Sequence, residues 1–493
     1  MTQLDVLESS EPDAEVVAPE KPLMVAAAEI PSTDLELEVK YSKVVDQLEK
    51  RYNLRVKEPL VNYNTDFCKA YAVTDSLTKD TDTNYALVYE KNLPFRQEMI
   101  LRLKRLSLQH LCNPIAVEVI PVSILNEQRF VIIFAKQKGI SLRQFLSNNG
   151  PCSEKFIIEY IINPFNTMLR VLGEYHITHG NINLDSITID QNNQIMVGEC
   201  CSKSCGYSQK VLYEPLDRVS TIPIGKGDGY ENVDYFALGV LCLALVIGKE
   251  PADDMDAELF LESRFTKGSF NTFAGTNKFP SIFDDLFKGL INDKRSESWN
   301  HRQITEWVKG KIFNIISPTS HIEASRQITF NSQQFFNCRA LTNSLFKNWE
   351  SARRFFKDES VIKWIDRSVR DTNKAARLRE VYKTHNYNFA RNMSTEDDLV
   401  TSALVILDPD GLIRFKNILT HIECLGLLLA YGMAKKENEY IHAVVKTLKL
   451  KLPDLWASVQ PLDQKMASAK ALSQLERIHA RCKFIQMFLI LFS

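Results

Sequence analysis

From residue 52 onward the chain is built of short runs in which apolar and polar residues alternate. Residues 52–56, 69–73 and 85–89 alternate with a period of two, the pattern of strands that bury one face. The period changes over 96–111, where Met99, Ile100, Leu103, Leu106 and Leu111 recur at helical spacing, and strand character returns at 116–122 and 129–134. Three strands, a helix and two strands predict an antiparallel sheet carrying one helix. A short helix follows over 141–146, then a long amphipathic one over 153–175 with Ser153 as its N-cap. Helices dominate beyond that point. Within 340–356, Leu341, Leu345, Trp349 and Ala352 share one face, and 422–434 is apolar along one side, so residues 317–493 read as a helical bundle. Residues 1–45 show no sustained period and read as a flexible acidic tail.

Length changes this picture first: 493 residues exceed one ordinary domain and suggest two or three, each with its own core. A composition of 45% hydrophobic and 25% charged residues is that of a folded globular protein. The formal net charge of −1 excludes a general electrostatic attraction to nucleic acid or anionic membrane. Locally, residues 1–40 carry ten Asp or Glu against two Lys, and residues 317–493 carry 26 Lys or Arg against 18 acids. That basic excess is scattered, and Arg353-Arg354 and Lys435-Lys436 read as solvated faces. The longest apolar stretches, 238–248 and 484–492, fall short of the roughly 18 residues that a membrane span needs. Ten sparse cysteines and no secretory signal point to a reducing cytoplasm. Cys200, Cys201 and Cys205 lack the fourth ligand and the pairing that zinc requires.

The most specific motif is His179-Gly180-Asn181-Ile182-Asn183-Leu184-Asp185-Ser186-Ile187-Thr188-Ile189. Coming after a long helix, it resembles the protein-kinase catalytic loop H-R-D-L-x-x-x-N and its next strand. Asp234-Tyr235-Phe236-Ala237-Leu238-Gly239 resembles the start of the buried kinase helix whose acid caps that loop, and Gly248-Lys249-Glu250-Pro251 resembles the turn closing it. Residues 281–310 resemble the last two helices of the lobe. The chain thus resembles a degenerate protein kinase, a pseudokinase, over about residues 46–315. A looser likeness is to uncharacterised bacterial kinase-like proteins whose helical tails match Trp349, Trp364 and a Leu407-Asp408-Pro409 turn.

This resemblance implies an α+β, bilobal protein-kinase-like fold followed by a mostly α-helical C-terminal domain, with a small lobe at 46–137, a large lobe at 138–316 and the C-terminal domain at 317–493. His179, Asp234 and Gly239 are its structural landmarks. The catalytic parts are eroded. The first glycine of the chain is Gly139, so no glycine loop precedes it to let backbone amides approach phosphates. Val88 stands at the strand position of the kinase lysine; Lys91, three residues on, falls on the opposite face of a regular strand, and Glu98 is aligned with the lysine's helix partner. Asn181 replaces the catalytic Asp, and a neutral amide takes up no proton at neutral pH. Asn183 replaces the loop Lys, Ser186 the metal-binding Asn, and Gly180 the Arg that answers phosphorylation.

Glu199 opens Glu199-Cys200-Cys201, the counterpart of D-F-G, and is the residue able to hold a divalent metal and a nucleotide; its plain alternative is a carboxylate bonded to nearby amides. Ile224-Gly225-Lys226-Gly227-Asp228-Gly229 has the glycines of a phosphate loop but not the flanking strand and helix order. Two functions follow as expectations. One is a catalytically inactive scaffold or allosteric regulator acting through protein partners. The other is an atypical kinase or nucleotidyl transferase using ATP with Mg or Mn at Glu199, helped by Lys91 or Asp185.

Overall fold

The computed structural model describes residues 39–202, 209–251, 253, 255–275, 277–315, 324–386 and 394–460. Residues 1–38 of the acidic tail, Cys205 and the apolar stretch 484–492 lie outside them. The described residues belong to one compact unit beginning at Val39.

β1 (Gln47–Leu48), β2 (Tyr52–Pro59), β3 (Cys68–Asp75), β4 (Asn84–Tyr89), β5 (Ala116–Val122) and β6 (Glu127–Ala135) form one antiparallel sheet in the order β1-β2-β3-β4-β6-β5. The sheet meets its own edges. Ahead of β1, Tyr41 bridges Val119, Ser42 N–H donates to Val119 O at 2.9 Å and Asp46 N–H to Pro121 O at 2.9 Å. β1 then pairs with β2, Leu48 opposite Tyr52. One stretch of chain therefore bonds to both edges and covers part of the N–H and C=O rows that an open sheet leaves unpaired. Because successive side chains point to opposite faces, β4 divides its residues between two cores. Ala86 and Val88 join Leu54, Val73, Val131 and Ile133 inside the closed sheet. Tyr85, Leu87 and Tyr89 face outward, toward the helices.

The helix α1 (Gln97–Leu106) packs Ile100 and Leu103 on that outer face. It ends at Leu106 rather than 111, because Ser107 turns left-handed at φ 44° and closes the last turn by donating to Leu103 O at 3.3 Å. Ser153 caps the long helix as its sequence predicts, accepting from Phe156 N at 3.3 Å, although the helix is wound wider through Ile157–Ile162. The helix Glu231–Ile247 is buried on nearly every side. At Gly239 a Cβ would stand 2.7 Å from Leu290 Cβ, so hydrogen there is what lets Phe283–Leu290 approach.

The C-terminal part is mostly helical but differs from a plain bundle. The 340–356 helix is broken at Asn348 into Cys338–Lys347 and Trp349–Phe355, and two hairpins, Ile328–Phe330 with Gln333–Phe335 and Ile413–Phe415 with Ile418–Thr420, interrupt the helices. Its cores are shared. Leu216, Val219 and Phe265 are buried among Leu341, Leu345 and Leu404, while Ile413, Phe415, Ile418 and Leu428 belong to the cluster that holds the helix Glu231–Ile247. Among the described residues no helix is long and apolar enough to cross a membrane.

Candidate functional site

The loop from Ile177 to Ser186 hangs from one buried carboxylate. Asp234, at the start of the central helix, accepts from His179 N at 2.7 Å and from Gly180 N at 2.9 Å. Burial pushes the Asp234 carboxyl up to about 6, against the pull of those two amides. Burial also pushes the His179 imidazole down to about 4. Neutral His179 has a defined tautomer: Nε2–H donates to Gly198 O at 2.9 Å, and Nδ1 accepts from Asn181 N at 3.2 Å.

Within the loop the polar groups satisfy one another. Asn183 Nδ2 donates to Asn181 Oδ1 at 3.1 Å, Asn183 Oδ1 accepts from Asp185 N and Ser186 N, and the Ser186 hydroxyl donates to Asn181 O at 2.7 Å. Asn181 Nδ2 reaches Glu199 O at 3.4 Å. Glu199 itself is spent locally: Oε2 accepts from Cys201 N at 2.6 Å and Ser202 N at 2.9 Å, and Oε1 from the Ser202 hydroxyl at 2.6 Å. Asp185 points elsewhere, between Arg143 and Lys210; burial would raise it, but the two cations outweigh burial and hold its carboxyl below the usual range.

From the sheet, Val88 does not reach this site, since it lies inside the closed sheet. The neighbouring Tyr89 does, and its hydroxyl donates to Cys201 O. Its ring packs 4.5 Å from Phe95 and 5.3 Å from Phe130, while Tyr63, from the turn after β2, packs at a tilt 4.6 Å from Tyr85. Aromatic rings thus cover the face of the sheet that looks onto Glu199. Lys91 and Glu98 are not brought together: Lys91 pairs with Glu127 at 3.1 Å and Glu98 with Arg102 at 2.5 Å, both on the surface. The cation that does enter is Arg96, just ahead of α1, whose guanidinium donates to Thr178 O and Cys200 O at 3.4 Å and lies 3.6 Å from Asp228. Sequence reading missed Tyr89, Arg96 and Tyr63. The two-residue period of β4 held the signal for Tyr89 once its register is known; nothing local marks Arg96.

These residues do not fit a divalent ion. Each carboxylate near the loop is already committed, Glu199 to Cys201 N, Ser202 N and the Ser202 hydroxyl, Asp234 to His179 N and Gly180 N, and Asp185 to Arg143 and Lys210; Asn181 and Ser186 are turned onto Asn183 and backbone, and burial pushes the Cys201 thiol well up and that of Cys112 to about 12. Among the described residues no three His, Cys, Asp or Glu side chains converge as ligands would. Nor does Asn181, His179 or Glu199 present a free, basic lone pair to a hydroxyl, because each is hydrogen-bonded within the loop or held at low basicity.

Residues 209–230 run past the loop. Gln209 clamps Ile182, accepting from its N–H at 2.9 Å and donating to its carbonyl at 3.0 Å. Glu214 and Lys226 form a buried ion pair at 2.6 Å, and Arg264 donates to Glu214 O at 2.6 Å. The glycines of 224–229 have a packing reason. A Cβ on Gly225 would meet Leu419 O and Thr420 Oγ1 at 3.0 Å, and one on Gly227, whose φ of 61° favours glycine, would meet Cys424 Sγ at 2.3 Å.

No family model matches the chain. An Aurora kinase of Candida glabrata is 26% identical to it over 170 residues, which is 34% of this chain and 45% of that protein. The chain is distantly similar to a protein kinase. It spans less than half the length of that relative, and the similarity is of a kinase-like protein and no finer.

Proposed function

We propose that this chain is a kinase-like protein without phosphoryl-transfer activity, a pseudokinase that works as a scaffold or allosteric regulator through protein partners. In this reading the closed sheet with α1 is the small lobe, the helices from Leu142 to Val308 are the large lobe, and residues 324–460 are the helical C-terminal part. The observation that carries it is the self-satisfied loop: Asn181, Asn183 and Ser186 bond to one another, and Glu199 is capped by Cys201 N, Ser202 N and the Ser202 hydroxyl. Phosphoryl transfer needs a group to orient the nucleophile, metals on the phosphates and a lysine from the strand. The corresponding places hold a neutral amide, a capped carboxylate and Val88, which lies inside the closed sheet while its neighbour Tyr89 bonds to Cys201 O. The kinase likeness itself is supported by the Candida glabrata relative and by Asp234 holding the loop as the resemblance implies.

Thermal unfolding of the full chain with millimolar ATP and Mg or Mn tests this. A ligand at about 100 times its Kd adds roughly 2.7 kcal/mol, which a melt resolves. The expected result is no shift and no phosphate transfer to the protein or generic substrates. A rise in Tm that Glu199→Ala abolishes would overturn the reading in favour of a nucleotide-using enzyme.

A further inference from the structure

Residues 209–230 touch both the site loop and the C-terminal hairpin 413–420 through hydrogen bonds. At one end Gln209 holds both polar backbone groups of Ile182. At the other end Ile222 N–H donates to Leu419 O at 3.3 Å and His421 N–H donates to Gly225 O at 3.0 Å, two backbone bonds that fasten the 3-10 turn Pro223–Lys226 to the hairpin. Between them the side chains are fastened as well: Glu214 to Lys226, Arg218 to Lys226 O and, at 3.3 Å, to His421 Nε2. Leu216 and Val219 are buried in the C-terminal core, and Ile224 in the other. Gly225 and Gly227 remove the side chains that would hold the hairpin away.

We infer that residues 209–230 are a fixed brace through which the C-terminal hairpin holds the loop at Asn181 in its self-bonded arrangement, and that the helical body and the C-terminal part are one obligate folding unit. Separating them would return Ile413, Phe415, Ile418, Leu216 and Val219 to water and would leave the Glu214–Lys226 pair exposed to rearrangement. A segment built this way is not a switch. It keeps one shape, because the backbone groups of Ile222 and Gly225 are already bonded to Leu419 and His421 of the same chain. The inference deepens the scaffold reading but does not stand or fall with it: ATP binding would defeat that reading and leave the brace untouched.

Hydrogen exchange on the full chain tests the brace. The amides of Ile222 and His421 are expected to exchange within about tenfold of the amides in the helix Glu231–Ile247, because they open when the whole unit opens. Exchange at these two amides at least 100-fold faster than in that helix, in the wild-type chain, would overturn the inference. Gly225→Val supplies the complement. Its added methyls meet Leu419 O and Thr420 Oγ1, and the expected result is at least tenfold faster exchange at Ile182, which Gln209 clamps, with Val88 and Val131 inside the closed sheet unchanged. Faster exchange at Ile222 with Ile182 unmoved would refute the link from hairpin to loop. Should that variant unfold as a whole, Val88 and Val131 report it, and the wild-type comparison still decides.

Discussion

His179 and Asp234 are bonded neighbours whose titrations oppose each other, and substituting Asp234→Asn separates them. In the folded chain the His179 imidazole refuses a proton until about pH 4, against an ordinary value of 6.5. The unfolded chain takes that proton first, so stability is lost as pH falls from 6.5 toward 4, by about 3 kcal/mol. The Asp234 carboxyl, raised by burial, takes a proton at about 6 against an ordinary 3.8. Here the folded chain binds first, so stability is gained as pH falls from 6 toward 4, again by about 3 kcal/mol. The two contributions nearly cancel, leaving the pair flat with pH in the wild-type protein. Asp234→Asn deletes the gain and keeps an amide oxygen for one of the two backbone donors. At pH 7 the variant is expected to lie within about 2 kcal/mol of wild type, since relief of a buried charge offsets one lost charge-assisted hydrogen bond of about 1.5–3 kcal/mol. At pH 4 it should be about 3 kcal/mol worse relative to wild type than at pH 7. Urea unfolding of both proteins at pH 7, 5.5 and 4 reads the difference, from which every other titrating group drops out. A difference constant to within 1 kcal/mol across that range, on the order of its measurement error, would refute the account of Asp234.

Glu214 and Lys226 attract by about 6 kcal/mol at 2.6 Å and an effective dielectric of about 20, comparable to the cost of burying both. Glu214→Gln or Lys226→Met alone is therefore expected to cost about 3–5 kcal/mol in chemical denaturation and the pair together far less; additive costs would show that the two do not interact. Gly239→Ala drives a methyl to 2.7 Å from Leu290 Cβ and should cost about 1–3 kcal/mol, seen as a lowered Tm; an unchanged Tm would show that Phe283–Leu290 yields freely. Val88→Lys places an ammonium inside the closed sheet and should cost about 4 kcal/mol at pH 7; a loss under about 1 kcal/mol would mean that Val88 faces the site after all.

The strands of the sheet were legible because alternation over 52–56, 69–73 and 85–89 is a local property that folding preserves. What alternation leaves open is which of its two faces looks where. That depends on the residues ahead of β1 closing the sheet, which sends Val88 inward and Tyr89 to the site. Lys91 is drawn off by a tertiary partner, Glu127, whereas Glu98 pairs one helical turn on with Arg102, a local i,i+4 contact. Three-residue strands such as Ile413–Phe415 and Ile418–Thr420 are too short for any period to register, so a helical reading passed over them. The glycines of 224–229 were visible but ambiguous. Their need arises from Leu419 and Cys424, almost two hundred residues away, and a local pattern carries no trace of that.

The closing of the sheet by the chain around Tyr41 to Leu48 has a consequence for assembly. Open sheets recruit: a neighbour that offers an extended segment finds a ready row of donors and acceptors, and this is how many domains dimerise, capture peptides or aggregate. Here the same eight-residue thread takes part of each row, at Tyr52 to Leu54 on β2 and at Val119 and Pro121 on β5. Along the covered stretch a docking partner is read by side chains, through outward groups such as Ile124 and Leu125 on the β5–β6 turn, and a chain trimmed past Leu48 would bare that stretch of both margins at once.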